Sequence, residues 1–398
     1  MRFKIAGLFL LVAGAAGAAG VGLAQDKPLQ ASPPPKVEAV DPAAQKIAQA
    51  LIEQVLKLSH AQEIFDSLRR TLRDVYIPTM RGLIQGDFPG APEADAASAS
   101  AMAKLLTLMD YVAKAGDELD AAFSKNRNAM ISDFAAQLAK EVDTSELGDV
   151  RRLLDLPVTR KTMDALYATS KLVTGFNYED SRIFSEFSAW VRGLDFDITR
   201  ALPGNQDTTK PVPSGAKIQK AQTFVTDFLR LSHLDEIAAA VEAFARDVYV
   251  EIAPATADER EKLRRDIDRY VFMYNLQKGV AIGVAPAIVS TSLTDAQLDK
   301  LIGYLHSPTF GKAFDLFRAA VASLTAYTKE DISGAQKALQ DLDEKSKLRS
   351  LEQREKATQE WTALFDKWTE KLKDTLSPET RQGLEQSLDD LQLREAPM

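Results

Sequence analysis

Two pairs of residues in this chain have the types and spacing for chemistry: His60-x-x-Glu63 and His233-x-x-Glu236. A spacing of i, i+3 puts an imidazole and a carboxylate on one helix face. Two such pairs, brought together on facing helices, would offer two nitrogens and two carboxylates to a divalent metal. A plainer role competes, because His just after a helix cap and an acid in the first turn are ordinary choices at a helix start. His306 is the third and last histidine. The sequence has no G-x-S-x-G, P-loop or H-E-x-x-H, so no nucleophile, phosphate cradle or zinc site is signalled. The 57 acids leave carboxylate chemistry open, and no cofactor is implied.

The histidines belong to a longer coincidence. "LKLSHAQEIFDSLRRTLRDVY", residues 56–76, lies on "LRLSHLDEIAAAVEAFARDVY", residues 229–249, at a fixed offset of 173 with ten of 21 positions identical. The match resumes at an offset of 151. There Val142 meets Leu293, Leu147 meets Leu298, Val150 meets Leu301, Leu154 meets Leu305, Pro157 meets Pro308 and Lys161 meets Lys312. The offset falls by 22, which implies extra residues in the first copy, and the Pro/Gly/Ala-rich stretch 85–100 reads as the loop that holds them. A tandem duplication of one helical unit is expected.

Most repeated residues have a structural reading. Ser59-x-x-Gln62 and, more loosely, Ser232-x-x-Asp235 suit a capping box, as do Asp143-x-x-Glu146 and Thr294-x-x-Gln297. Ser307-Pro308 and Ser377-Pro378 read as a cap followed by Pro in the first turn. Arg73-Asp74-Val75-Tyr76 and Arg246-Asp247-Val248-Tyr249 are the tightest match. Val75 and Val248 continue an apolar stripe, with Tyr76 and Tyr249 beside it. Adjacent residues point about 100° apart on a helix. Each Arg and Asp is therefore expected to pair with another helix, with Asp74 and Asp247 buried.

The elements that carry these residues are helical. Ile47, Leu51, Val55 and Leu58 repeat at helix spacing; so do Ile64, Leu68, Leu72 and Val75, and Phe184, Phe187, Trp190, Val191 and Leu194. No run of alternating β-branched residues appears. The uncharged stretch 279–294, "GVAIGVAPAIVSTSLT", predicts a buried core helix bent or started at Pro286. The predicted fold is all-α: a signal peptide at 1–24, a Pro-rich leader at 25–42, helical unit 1 at 43–201, a linker at 202–217, helical unit 2 at 218–327 and a C-terminal helical arm at 328–398.

Arg2 and Lys4, the apolar run after them and Gly22-Leu23-Ala24 have the parts of a secretory signal cleaved after Ala24; an uncleaved anchor is the competing reading, the apolar span being about 20 residues. Export to the periplasm is expected, with no integral span after cleavage. The chain has no cysteine, which removes disulfides and thiol chemistry, so stability must come from a core. Its 398 residues suffice for one large or two medium domains. A net charge of −8, with no basic stripe, argues against nucleic acid as a partner.

The stretch "TDAQLDKLIGYLHSPTFGKAFD" resembles the bacterial exported domain-of-unknown-function family numbered 2059. Thr294, Asp295, Leu298, Leu301, Tyr304, Ser307, Pro308 and Lys312 carry the likeness. Gly311 stands one place later than the family's usual Gly, and the first copy keeps Leu147, Val150, Leu153, Pro157 and Lys161 without the Ser and the Gly. The resemblance covers about 60 residues per copy and implies a helical fold and export; it supplies no activity. The function expected is a non-enzymatic binding or scaffolding protein of the cell envelope, whose amphipathic arm suits a partner helix. A carrier of a small apolar or lipid-like ligand, or a carboxylate- or metal-dependent enzyme, are the alternatives.

Overall fold

A computed structural model describes residues 41–86, 96–194, 213–250, 256–347 and 351–391. The predicted signal peptide and most of the leader lie outside the described residues, as do 87–95 of the predicted loop and 202–212 of the predicted linker. The described chain is all-α, with fifteen α-helices and no strand. In order they are α1 (Pro42–Leu58), α2 (Ala61–Thr71), α3 (Ile77–Gln85), α4 (Ala96–Glu141), α5 (Thr144–Asp155), α6 (Pro157–Thr174), α7 (Tyr178–Arg192), α8 (Gly215–Leu231), α9 (Leu234–Phe244), α10 (Ala257–Ser292), α11 (Asp295–Leu305), α12 (Pro308–Leu324), α13 (Lys329–Lys347), α14 (Leu351–Lys373) and α15 (Pro378–Asp390). Single π-helical segments follow α2 (Leu72–Tyr76) and α9 (Ala245–Tyr249), at places 173 residues apart.

Helix starts follow local chemistry. Asp41 accepts from the Ala43 N–H with Pro42 in the first turn, so the first helix begins at the end of the predicted leader. Capping boxes open α5 at Asp143/Glu146 and α11 at Thr294/Gln297. Ser307 and Ser377 cap α12 and α15 ahead of Pro. Ser214 caps α8, which begins inside the predicted linker. The predicted 85–100 loop is shorter than expected: Gly86 closes α3 in the left-handed conformation (φ 75°), and α4 starts at Ala96.

The described residues group into two compact units. Unit 1 takes 41–86, 96–167 and 334–391; unit 2 takes 168–194, 213–250 and 256–333. The groups cross the sequence order, since α7 joins unit 2 and most of the C-terminal arm joins unit 1.

Unit 1 is built on α4, 46 residues and about 69 Å long. α1 and α5 pack Leu51, Val55, Leu147 and Leu154 against its Ala135. On another side α14 lays Trp361, Leu364, Phe365 and Trp368 over Met130 and Phe134. Glu118 of α4 anchors the start of α15: it accepts from the Ser377 N–H at 2.7 Å, the Ser377 hydroxyl at 2.9 Å and the Thr380 hydroxyl at 2.8 Å. Burial works against this carboxylate's charge, but those donors and Lys114 outweigh it and lower its pKa.

Unit 2 has a smaller aliphatic core, with Ala221 of α8 against Val289, Leu293 and Leu298. A chain of aromatic rings extends it. Phe184 meets Phe176 and Phe310, and Phe187 meets Trp190, Tyr304 and Phe310, at centroid distances of 4.8–6.1 Å. The stripe read from Phe184 to Trp190 is thus packed on α11 and α12. The uncharged stretch 279–294 departs from its prediction. The helix runs unbroken from Ala257 through Pro286, and Val289 and Leu293 are buried, but Val280, Ile282 and Val284 are exposed. α8 covers only the C-terminal end of this stretch, which is where the core lies.

Candidate functional site

Each repeated histidine sits at a sharp corner between two helices. The chain leaves α1 at Ser59, passes through His60 with φ 51° and enters α2; it leaves α8 at Ser232, passes through His233 with φ 53° and enters α9. These are the positive-φ residues other than glycine among the described residues. The left-handed region costs an L-residue roughly 1–2 kcal/mol. Surrounding contacts must hold it there.

The expected Ser59 and Ser232 capping boxes are therefore corrected. Both serines close the preceding helix instead, their hydroxyls donating to the carbonyls of Leu56 and Leu229 at 3.2 and 3.3 Å.

The two rings are held alike. His60 Nδ1 lies 2.7 Å from Glu63, and Nε2 lies 3.4 Å from Asp164 on α6. His233 Nδ1 lies 3.3 Å from Glu236, and Nε2 lies 3.4 Å from Asp315 on α12. Each imidazole bridges its own helix to a second one through a carboxylate at either end. Tyr167 stacks on His60 at 4.5 Å. At the place 151 residues on, Arg318 reaches Glu236 at 3.3 Å and Asp315 at 3.5 Å. His233 and then Arg318 lower the Glu236 pKa. With both ring nitrogens engaged, His60 and His233 act as braces. Among the described residues no group of three or more His, Cys, Asp or Glu is placed to hold a metal ion.

The expectation for Arg73-Asp74 and Arg246-Asp247 holds for the arginines, Arg73 lying 3.8 Å from Asp117 of α4 and Arg246 pairing with Asp268 of α10, and is overturned for the aspartates. Asp74 is 58 % exposed and pairs with its own neighbour, Arg73 Nε standing 3.0 Å away. The long Arg73 side chain spans the angle between adjacent positions. Arg246 does reach other residues, Glu242 and Asp268, while Asp247 is exposed. Val75 and Val248 are buried as expected; Tyr76 and Tyr249 are exposed. Arg246, Asp247, Glu261, Arg264, Asp268 and Lys329 line a cleft of about 500 Å³. Its lining carries three cations and three carboxylates, a net charge of zero.

A second cleft adjoins the His233 brace. Between α9 and α12, Ile237, Ala240, Ala319, Val321 and Ala322 line a groove of about 420 Å³, with Glu236 and Arg318 also at its walls. Exposed Phe317 and Leu324 lie a turn to either side of Val321, and exposed Val241 follows Ala240. The surface is apolar with an oppositely charged pair at one end.

Comparison with protein-family models, curated proteins and solved structures finds no match.

Sequence reasoning missed a buried ionic site in unit 2. Asp180, the third residue of α7, is 9 % exposed and accepts from Lys312 Nζ at 2.7 Å, the Thr309 hydroxyl at 2.8 Å and the Asn177 N–H at 2.9 Å. Burial disfavours its charge, but these donors prevail and hold the carboxyl below its usual range. Lys312 was legible as a repeated residue after Ser307-Pro308. Its partner lies 132 positions earlier, and the visible signal was the capping pattern Asn177-x-x-Asp180.

Proposed function

We propose that this chain is an exported bacterial protein of the cell envelope, built by duplication of a helical unit, and that it works by binding a partner protein rather than by catalysis. The observation that carries the reading is the groove between α9 and α12. Small and aliphatic residues form its floor, and the Glu236–Arg318 pair marks one end. That is the form in which an amphipathic helix is received: apolar anchors at i, i+3 and i+4 fill the groove and a polar residue meets the charged end. The braces at His60 and His233 support it by their closed geometry, since both ring nitrogens already face carboxylates. A carrier of a small apolar ligand would want an enclosed pocket that buries most of the ligand, whereas this groove lies along the outside of two helices with exposed residues beside it.

The kinship with the exported family numbered 2059, carried by Thr294 to Lys312, and export through the first 24 residues belong to the same proposal. No helix among the described residues is long and apolar enough to cross a membrane, which accords with release after cleavage. N-terminal sequencing of the chain from cells tests export: a start at Gln25 is expected, and Met1 on a membrane-bound product would contradict it. Photo-crosslinking in living cells tests the groove. A benzophenone side chain at Ala319 is expected to give one discrete protein adduct that the same group at exposed Lys104 does not give; no adduct at Ala319 would sink the reading.

A further inference from the structure

The uncovered middle of α10 is a separate surface from the groove. We propose that it is the docking face for a second copy of this chain, α10 against α10 about a two-fold axis.

The offset of 151 that sets Leu147 on Leu298 also sets α10 on residues 106–141 of α4. In unit 1 that helix is covered by α14 and α15 as well as α1. In unit 2 α10 packs chiefly on α8, near its C-terminal end. The difference is visible at single positions. Ile131 of α4 is 4 % exposed and Ile282, its counterpart in α10, is 43 % exposed. Tyr270 is 76 % exposed, and Phe272, Met273, Leu276, Val280 and Val284 continue the run.

Three properties select a second copy as the occupant. The first is area. Phe272, Met273, Leu276 and Val280, which share a face of α10 with Gly279 and Gly283, expose on the order of 400 Å² together, about half of the ~800 Å² per partner that a stable interface of standard size buries. The second is charge. From Tyr270 to Thr294 the only charged residue is Lys278, and Asp235 of the same unit already holds it. A chain of net charge −8 repels its own copies, and this uncharged run is a place where two of them can meet without opposing charges. The third is shape. At Gly279 and Gly283 a Cβ would meet nothing within 4 Å, so the outer surface is flat there. Glycines one turn apart let two helix backbones approach closely. A two-fold contact is self-complementary, so each copy's glycines receive the other's Leu276 and Val280.

Sedimentation equilibrium on the purified chain, from about 1 to 100 µM, is the test. Wild type is expected at twice the chain mass at the upper concentrations. Val280→Arg and Gly283→Leu are expected to raise the dissociation constant at least 100-fold with unchanged helicity by circular dichroism. Both positions are exposed or open, so neither variant removes a packing contact. Because the chain has no cysteine, Val280→Cys alone should give a disulfide-linked dimer under mild oxidation, and Glu330→Cys should not. A wild-type monomer over the whole range would overturn the proposal, as would a dimer indifferent to Val280→Arg. Neither result bears on the α9–α12 groove.

Discussion

Asp180→Asn removes one negative charge from the Lys312 site and almost no volume. In the wild type, three donors surround a carboxylate that is 9 % exposed. Breaking a fully buried pair costs about 3–5 kcal/mol. Lys312 is 38 % exposed, so its ammonium recovers water in the variant, and the cost should fall to about 2–3 kcal/mol. At about 2–4 °C per kcal/mol for a unit of this size, the melting temperature of unit 2 should drop by roughly 4–12 °C. Thermal unfolding followed at 222 nm, with near-ultraviolet circular dichroism reporting the rings around Phe310, measures it. The pH dependence gives a second check. The Asp180 pKa is lowered in the folded chain, so its stabilisation is full above the unfolded value near 3.9 and is lost as the pH falls from there through the folded value. The wild-type and Asn melting temperatures should differ most at neutral pH and converge below about pH 4. Glu179→Gln, which disturbs an exposed pair with Arg182, should cost at most about 1 kcal/mol. Wild-type melting by Asp180→Asn at pH 7 would refute the idea that this site stabilises unit 2.

Asp74→Ala and Asp247→Ala should each change stability by no more than about 1 kcal/mol in chemical denaturation, because both carboxylates are exposed. At the corners, His233→Ala should be less stable than His233→Gly by about 1 kcal/mol, since Gly alone adopts φ 53° without strain; equal stabilities would mean that the left-handed corner is not retained. Trp368→Ala should cost about 3–5 kcal/mol and loosen α14 from α4, read as faster amide exchange across 361–372.

The helical class was legible because 3.6-residue periodicity is local, and so were the caps at Asp143, Thr294, Ser307 and Ser377, each written within four residues. The failures share the opposite property. Ser59-x-x-Gln62 has the letters of a capping box, but the corner depends on carboxylates from α6 and α12 that hold the rings of His60 and His233 in place. Asp74 reads as buried because Val75 is apolar, yet a neighbour's burial says nothing of the adjacent helix face. The run from Gly279 to Val284 reads as core by composition, and only the missing neighbour on α10 leaves it outside. Asp180 and Lys312 are 132 residues apart, beyond any local pattern. At the candidate site the sequence supplied His233 and Glu236, but not the Ala240–Ala319 groove beside them. Small residues on two helices form a groove only once those helices are packed.

Native mass spectrometry of the chain isolated gently from cells tests the central claim, that this is a binding protein and not a carrier or an enzyme. The account predicts complexes whose masses are sums of whole proteins, a second copy or a distinct partner, and which fall apart to the bare chain on activation. A stoichiometric metal or small apolar molecule that stays with the monomer would contradict it.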